Sequence, residues 1–256
     1  MAPHTAPAED PSAWVRRFHP SPEASAELVC FPHAGGSAAY WFPVSRALAP
    51  AVEVLAVQYP GRQERHQEAP VTDLHRLADR IAAALPPAAG ARPRLFLGHS
   101  MGASLAYEVA VRLADTPAGG PDGLLLSGRR APSRRHPEAD RPADDRALVA
   151  KVRSLGGTAS GLLDDQDMLG LVLPVLRADY RALAHYVPTP GTPLSCPVLG
   201  LAGDRDTEAP PDDVRAWGAQ TSGPFELRIL PGGHFFLTDH VAALAELVCG
   251  MLPLPA

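Results

Sequence analysis

Leu95-Phe96-Leu97-Gly98-His99-Ser100-Met101-Gly102 holds a change of period, and the change decides the fold. Residues 95–97 are an apolar run of strand length. From Met101 to Leu113 the apolar residues recur at helical spacing. The joint between them has the form G-x-S-x-G. Alone, such a pentapeptide is also an ordinary Gly-rich turn; a strand before it and a helix after it favour a nucleophile elbow. The turn is tight and strained, so side chains at 98 and 102 would collide with neighbouring backbone. Ser100 is therefore predicted to project at the carboxyl end of a sheet. The Met101 N–H, at the helix start, is predicted to face a developing oxyanion.

Working outward, five more apolar runs of strand length alternate with helical stretches. They are 28–31, 52–57, 124–126, 198–201 and 225–230. Bounded by Gly or Pro, they suit strands buried on both faces. Leu74, Leu77, Ala78, Ile81 and Leu85 mark one helix, and Val241 to Met251 another. The alternation predicts an α/β fold with a mostly parallel central sheet flanked by helices. Residues 129–190 break it with an Arg/Pro-rich segment, then Leu148–Leu155, then a stretch from Asp164 to Tyr186 that is apolar nearly all round. Such a helix is expected to be covered on every side, with Pro174 kinking it. We expect residues 1–24 to be a flexible lead-in and 25–256 a single domain, with a helical lid inserted over about 130–190.

A serine needs a base, and the base an orienting acid. In α/β-hydrolases the chain order is Ser, acid, His. Gly203-Asp204-Arg205-Asp206 follows the run at 198–201, and Pro231-Gly232-Gly233-His234-Phe235 follows the run at 225–230. Loops at strand ends over a parallel sheet gather reactive groups. Asp206 is favoured as the acid, since it lies deeper in its loop; Asp204 competes but suits a turn-holding role. His234 has the required place for the base. His99, inside the elbow, should turn away from Ser100, and His240 suits a structural role. The loop Phe31-Pro32-His33-Ala34-Gly35-Gly36-Ser37 follows the run at 28–31, and its paired glycines allow close backbone approach. Ala34 N–H is the candidate second oxyanion donor.

Composition narrows the classes. Among 256 residues, 46% are hydrophobic, 20% are charged and the net charge is -5. That is ordinary for a soluble globular protein and argues against a nucleic-acid binder. No stretch approaches 18 uninterrupted apolar residues, so no membrane span is expected. The start lacks a signal-peptide pattern, which with the cysteine usage favours a cytoplasmic protein. Cys30, Cys196 and Cys249 are too scattered for disulfides or a metal cluster, and read as small buried hydrophobes.

Taken together, residues 31–36, 58–62 (Gln-Tyr-Pro-Gly-Arg), 98–102, 127–132, 176–180 (Leu-Arg-Ala-Asp-Tyr), 203–206 and 232–236 resemble the stand-alone type II thioesterases of polyketide and nonribosomal peptide biosynthesis. The resemblance runs from about residue 25 onward. It implies an α/β-hydrolase fold with a helical lid, and hydrolysis of acyl groups from the phosphopantetheine arm of a carrier protein. It also implies an editing role, removing stalled or mis-primed chains. Carried onto this chain, it gives Ser100, Asp206 and His234 as a triad, with Ala34 and Met101 as oxyanion donors. No metal or organic cofactor is implied, the pantetheine belonging to the substrate. The lid helix with Met168, Val172, Leu173 and Leu176 is the candidate acyl-pocket wall, against ordinary core packing. Arg129, Arg130, Arg134, Arg135, Arg141 and Arg146 invite an acidic carrier, but the interleaved Glu138, Asp140, Asp144 and Asp145 favour a solvated mixed-charge surface. A general carboxylesterase and a non-catalytic carrier-binding module are the competing readings.

Overall fold

Alternate residues of each central strand point into two different cores, which is why these strands read as unbroken apolar runs. The computed structural model describes residues 10–87, 92–114, 116, 119–156, 166–191 and 193–252. The strands are β1 (Val15–Arg16), β2 (Ala26–Phe31), β3 (Val52–Val57), β4 (Arg94–His99), β5 (Gly123–Ser127), β6 (Val198–Gly203) and β7 (Phe225–Leu230). They form one sheet in the order β1-β3-β2-β4-β5-β6-β7. All neighbours pair parallel except β1, which runs antiparallel to β3. This is the α/β-hydrolase arrangement.

Val29, Phe31, Leu55 and Phe96 join a core with α2 (Leu74–Ala84) and α3 (Met101–Leu113). Leu28, Cys30, Val54, Leu95 and Leu97 join the opposite core, covered by α1 (Phe42–Leu48) and by the helix Val241–Met251. Two helices, α4 (Asp145–Leu155) and α5 (Gln166–His185), lie between β5 and β6 in the chain. Then come the short α6 (Pro211–Arg215) and the last helix, α7 (Val241–Met251).

Three expectations need correction. The segment expected to be a flexible lead-in is structured from Asp10 onward; residues 1–9 lie outside the described residues. Asp10 caps a 3-10 turn over Pro11–Trp14, and Val15 and Arg16 pair with Val57 and Ala56. Trp14, 1% exposed, packs beneath the guanidinium groups of Arg65 and Arg80. A single buried indole is enough to anchor a segment whose composition looks disordered. Second, β7 is not buried on both faces: it is the sheet edge, with Glu226 and Arg228 exposed and paired. Third, α5 is not covered on every side. It runs through Pro174 as one helix, but Leu171 is 66% exposed while Leu176 is fully buried. Among the described residues no helix is long and apolar enough to cross a membrane.

Candidate active site

Ser100 sits between β4 and α3 with φ 56 and ψ -119. A non-glycine residue in this region is strained, by roughly 1–3 kcal/mol. The conformation is fixed from both sides: Ser100 N–H donates to the Ser127 carbonyl at 2.8 Å, and the Ser100 carbonyl accepts from Ala103 N–H at 3.0 Å. Helix α3 starts immediately, so the Met101 N–H is one of the first-turn donors without a helical acceptor.

The three residues picked from separate loops form one hydrogen-bonded row. His234 Nε2 lies 3.0 Å from Ser100 Oγ, and His234 Nδ1 lies 2.9 Å from Asp206 Oδ2. Burial alone would push the Asp206 carboxyl up. The hydrogen bond and charge of His234 and the amides of Glu208 and Ala209 outweigh it, holding the carboxyl below its ordinary value. A carboxylate only accepts, so Nδ1 carries the proton and Nε2 is left to accept from the Ser100 hydroxyl. Asp204 lies elsewhere: its Oδ1 accepts from Gly232 N–H at 2.7 Å and ties the two loops together. His240 is bonded to the Pro231 carbonyl.

Ala34 lines the same small cleft as Ser100 and His234. Gly36 N–H is engaged with the His33 carbonyl and Gly35 N–H with Asp179 Oδ2. The Ala34 N–H has no acceptor among the described residues. The cleft, about 30 Å³, is roofed from α4 by Lys151 and Leu155 and from α5 by Tyr180 and Leu183. A second, apolar cavity of about 800 Å³ lies across the 33–36 loop and is lined by His33, Gly35 and Gly36 but not by Ser100.

The α5 residues divide between these spaces. Met168 and Val172 line the large cavity, and so do Leu171 and Val175, which sequence reasoning did not single out. Leu173 and Leu176 do not line it but pack in a small cluster with Leu148, Val152 and Tyr180, against which Val172 also packs. Adjacent apolar residues on a helix give no sign of which face meets a cavity. The arginine run is likewise divided. Arg129 pairs with Asp140 and Arg130 with Asp213, both turned into the body. Asp144 caps α4 and Asp145 pairs with Arg177. Cys30 is buried, but Cys249 is exposed near the end of α7, contrary to the expectation of a buried thiol.

His99 turns away from Ser100, its Nδ1 3.0 Å from Ser127 Oγ, and its ring packs 5.1 Å from that of His234. Burial first, then the nearby His234 and His33, put its pKa well below the usual imidazole value. Burial, with His234 and Arg62, lowers His33 to about 3. Both rings stay neutral in the folded chain, whereas an unfolded histidine titrates near about 6.5. Below that pH the unfolded state binds more protons, so stability is complete above about 6.5 and falls as pH drops. Each such ring contributes a slope of about 1.4 kcal/mol per pH unit. Asp206 acts in a separate window, its contribution being lost only below the ordinary carboxylate range, near about 3.9. Urea unfolding is expected to give a ΔG at pH 5 at least about 2 kcal/mol below that at pH 7, from His33 alone, with His99 adding in the same direction. A flat ΔG over that interval contradicts the buried neutral imidazoles.

Comparison with known proteins places this geometry in a family. A family model described as Thioesterase domain matches residues 26–251. Thioesterase PikA5 of Streptomyces venezuelae is 48% identical over 230 residues, spanning 90% of this chain and 82% of its own. A probable cadicidin biosynthesis thioesterase of Streptomyces griseus is 47% identical over 93% of this chain and 65% of its own. The solved structure of the type II thioesterase BorB from the borrelidin biosynthetic cluster superposes with a TM-score of 0.85 at 42% identity, covering 94% of this chain and 98% of that one. A serine held by a buried histidine–carboxylate pair at the end of β4 thus lies in a chain that belongs to the thioesterase family, hydrolases acting on thioesters.

Proposed function

We propose that this thioesterase removes acyl groups from the phosphopantetheine arm of carrier proteins of a polyketide or nonribosomal peptide synthase, clearing stalled or mis-primed chains. The observation that carries the reading is the Asp206–His234–Ser100 row, opening on a cleft shared with Ala34. Its chemistry needs only these groups and water. Ser100 Oγ attacks the thioester carbonyl while its proton passes to His234 Nε2. The oxyanion is held by the Ala34 and Met101 amides, each such donor contributing about 3 kcal/mol. The C–S bond breaks and the pantetheine leaves as a thiol, taking the proton from His234. Water then attacks the acyl-serine, giving its proton to the same nitrogen. The second tetrahedral intermediate collapses to the free acid and restores the Ser100 hydroxyl. Asp206 holds the tautomer and stabilises the imidazolium.

The relatives' names speak for antibiotic-type biosynthetic clusters, which supports a carrier-bound substrate and a cytoplasmic setting beside a synthase. The apolar cavity, of a size common for ligand pockets, offers Met168 and Val172 to an acyl chain that passes the 33–36 loop. The test is a hydrolysis panel of acyl chains on a carrier protein, against an aryl ester of the same acid. We expect kcat/KM to be at least tenfold higher on the carrier-bound thioester, because remote contacts to the arm and carrier are available only there. Equal or higher efficiency on the aryl ester makes the chain a general esterase instead.

A further inference from the structure

Two sequence motifs have no part in the chemistry above, Gln58-Tyr59-Pro60-Gly61-Arg62 after β3 and Leu176-Arg177-Ala178-Asp179-Tyr180 in α5. Both converge on the loop that carries Ala34. Tyr59 Oη donates to the Pro32 carbonyl at 3.1 Å, and Gln58 Oε1 accepts from Ala38 N–H at 2.8 Å. Arg62 Nε donates to the Gly36 carbonyl at 2.9 Å, and its Nη1 to the Pro60 carbonyl at 2.8 Å. Asp179 Oδ2 accepts from Gly35 N–H at 2.7 Å and also from Arg62 Nη2. The pair is buried, with side-chain exposures of 5% for Arg62 and 1% for Asp179. One turn earlier on the same helix face, Leu176 lies against Gly35, where φ is 75 and a Cβ would stand 2.4 Å from Leu176 Cδ2.

We propose that Asp179, paired with Arg62, is a positioning residue that sets the Ala34 oxyanion donor. The amides of Gly35 and Gly36 are both bonded, while Ala34 lines the cleft and its N–H has no acceptor among the described residues. Gly36 N–H holds the His33 carbonyl, which shares a peptide plane with the Ala34 N–H, and the Asp179 oxygen holds the next peptide unit, so that the two together set that amide. It follows that the half of α5 after Pro174 is a fixed part of the catalytic frame. The inference rests on the reading of Ala34 as an oxyanion donor.

The roles separate in an assay on an acyl-pantetheine. Asp179→Ala is expected to lower kcat by roughly 10²-fold, the lower end of the cost of an oxyanion donor, with KM within about twofold. Affinity for a trifluoromethyl ketone, which forms a tetrahedral adduct with the serine, should fall in parallel. Affinity for an unreactive thioether analogue should not. Asp179→Asn keeps the accepting oxygen and should recover most of the rate. Because Asp179→Ala leaves Arg62 buried without its partner, the double variant Arg62→Met/Asp179→Leu serves as the folded control. It also loses the Arg62 bonds to the Gly36 and Pro60 carbonyls, so it should melt below the parent yet remain folded, with a kcat loss at least as large as that of Asp179→Ala. A folded double variant with kcat within threefold of the parent overturns the proposal, as does an equal loss of affinity for ketone and thioether. Parent-level turnover by Ser100→Ala would instead remove the site itself, and the brace with it.

Discussion

Ser100→Ala is expected to lower kcat for acyl-pantetheine hydrolysis by roughly 10⁵- to 10⁶-fold while leaving the melting temperature unchanged. The rate falls because, among the described residues, no other hydroxyl is hydrogen-bonded to His234 Nε2. What survives is the residual catalysis of the oxyanion amides and of binding, which never depended on the hydroxyl. Stability is preserved because alanine keeps the Cβ and inherits the same φ of 56. Ser100→Gly separates strain from chemistry. It should be equally inactive yet more stable by about 1–2 kcal/mol, since glycine occupies this region without the steric penalty. Hydrolysis rates and thermal unfolding of the three proteins check both halves. A Ser100→Ala variant within tenfold of the parent rate dismisses the serine as nucleophile, and a Ser100→Gly variant no more stable than the parent dismisses the strain.

Most of the elements legible in the sequence are completely buried; the edge strand β7 was legible too, at 225–230, but not its exposure. Strands β2 to β6 face two cores, so their residues form unbroken apolar runs, and helix periods between them are clear at 74–84, 101–113 and 241–251. The three residues of the hydrogen-bonded row were legible because each stands just after such a run beside glycines that mark a tight turn. Elements held by distant partners were not. Strand β1 has two residues, and its place depends on β3 and on the burial of Trp14. Helix α1 has seven, too few for a period to show. The lining of the large cavity was half legible: an apolar helix was evident, but not that Val172 lines the cavity while Leu173, packed against the same cluster as Val172, does not. Arg62 and Asp179 were visible as motif residues without a role, because a buried ion pair joining residues 117 apart has no local signature.

The same substitution, glycine to alanine in a helix, is expected to have opposite effects at positions 102 and 170. Gly102 is the second residue of α3 and Gly170 the fifth of α5, so helix propensity favours alanine at both by up to about 1 kcal/mol. At Gly170 a Cβ meets nothing within 4 Å among the described residues, and Gly170→Ala should be more stable by about 0.5–1 kcal/mol. At Gly102 the Cβ would stand 2.0 Å from the Phe31 carbonyl oxygen and 2.6 Å from both the Phe31 carbonyl carbon and the Pro32 oxygen. All three are backbone atoms at the end of β2, where no rotamer change relieves the overlap. Either α3 retreats, taking Ser100 with it, or β2 does, taking the loop of Ala34. Gly102→Ala should therefore be less stable by at least about 3 kcal/mol, the upper range for overpacking. Whatever remains folded should turn over at least about 100-fold more slowly, because the serine and its oxyanion donor are no longer in register. Denaturant unfolding of the two variants side by side checks the sign, since propensity is common to both and only the contact with β2 differs. If Gly102→Ala proved as stable as the parent, the close approach of α3 to β2 would be wrong, and with it the account of how Ala34 and Ser100 come to line one cleft.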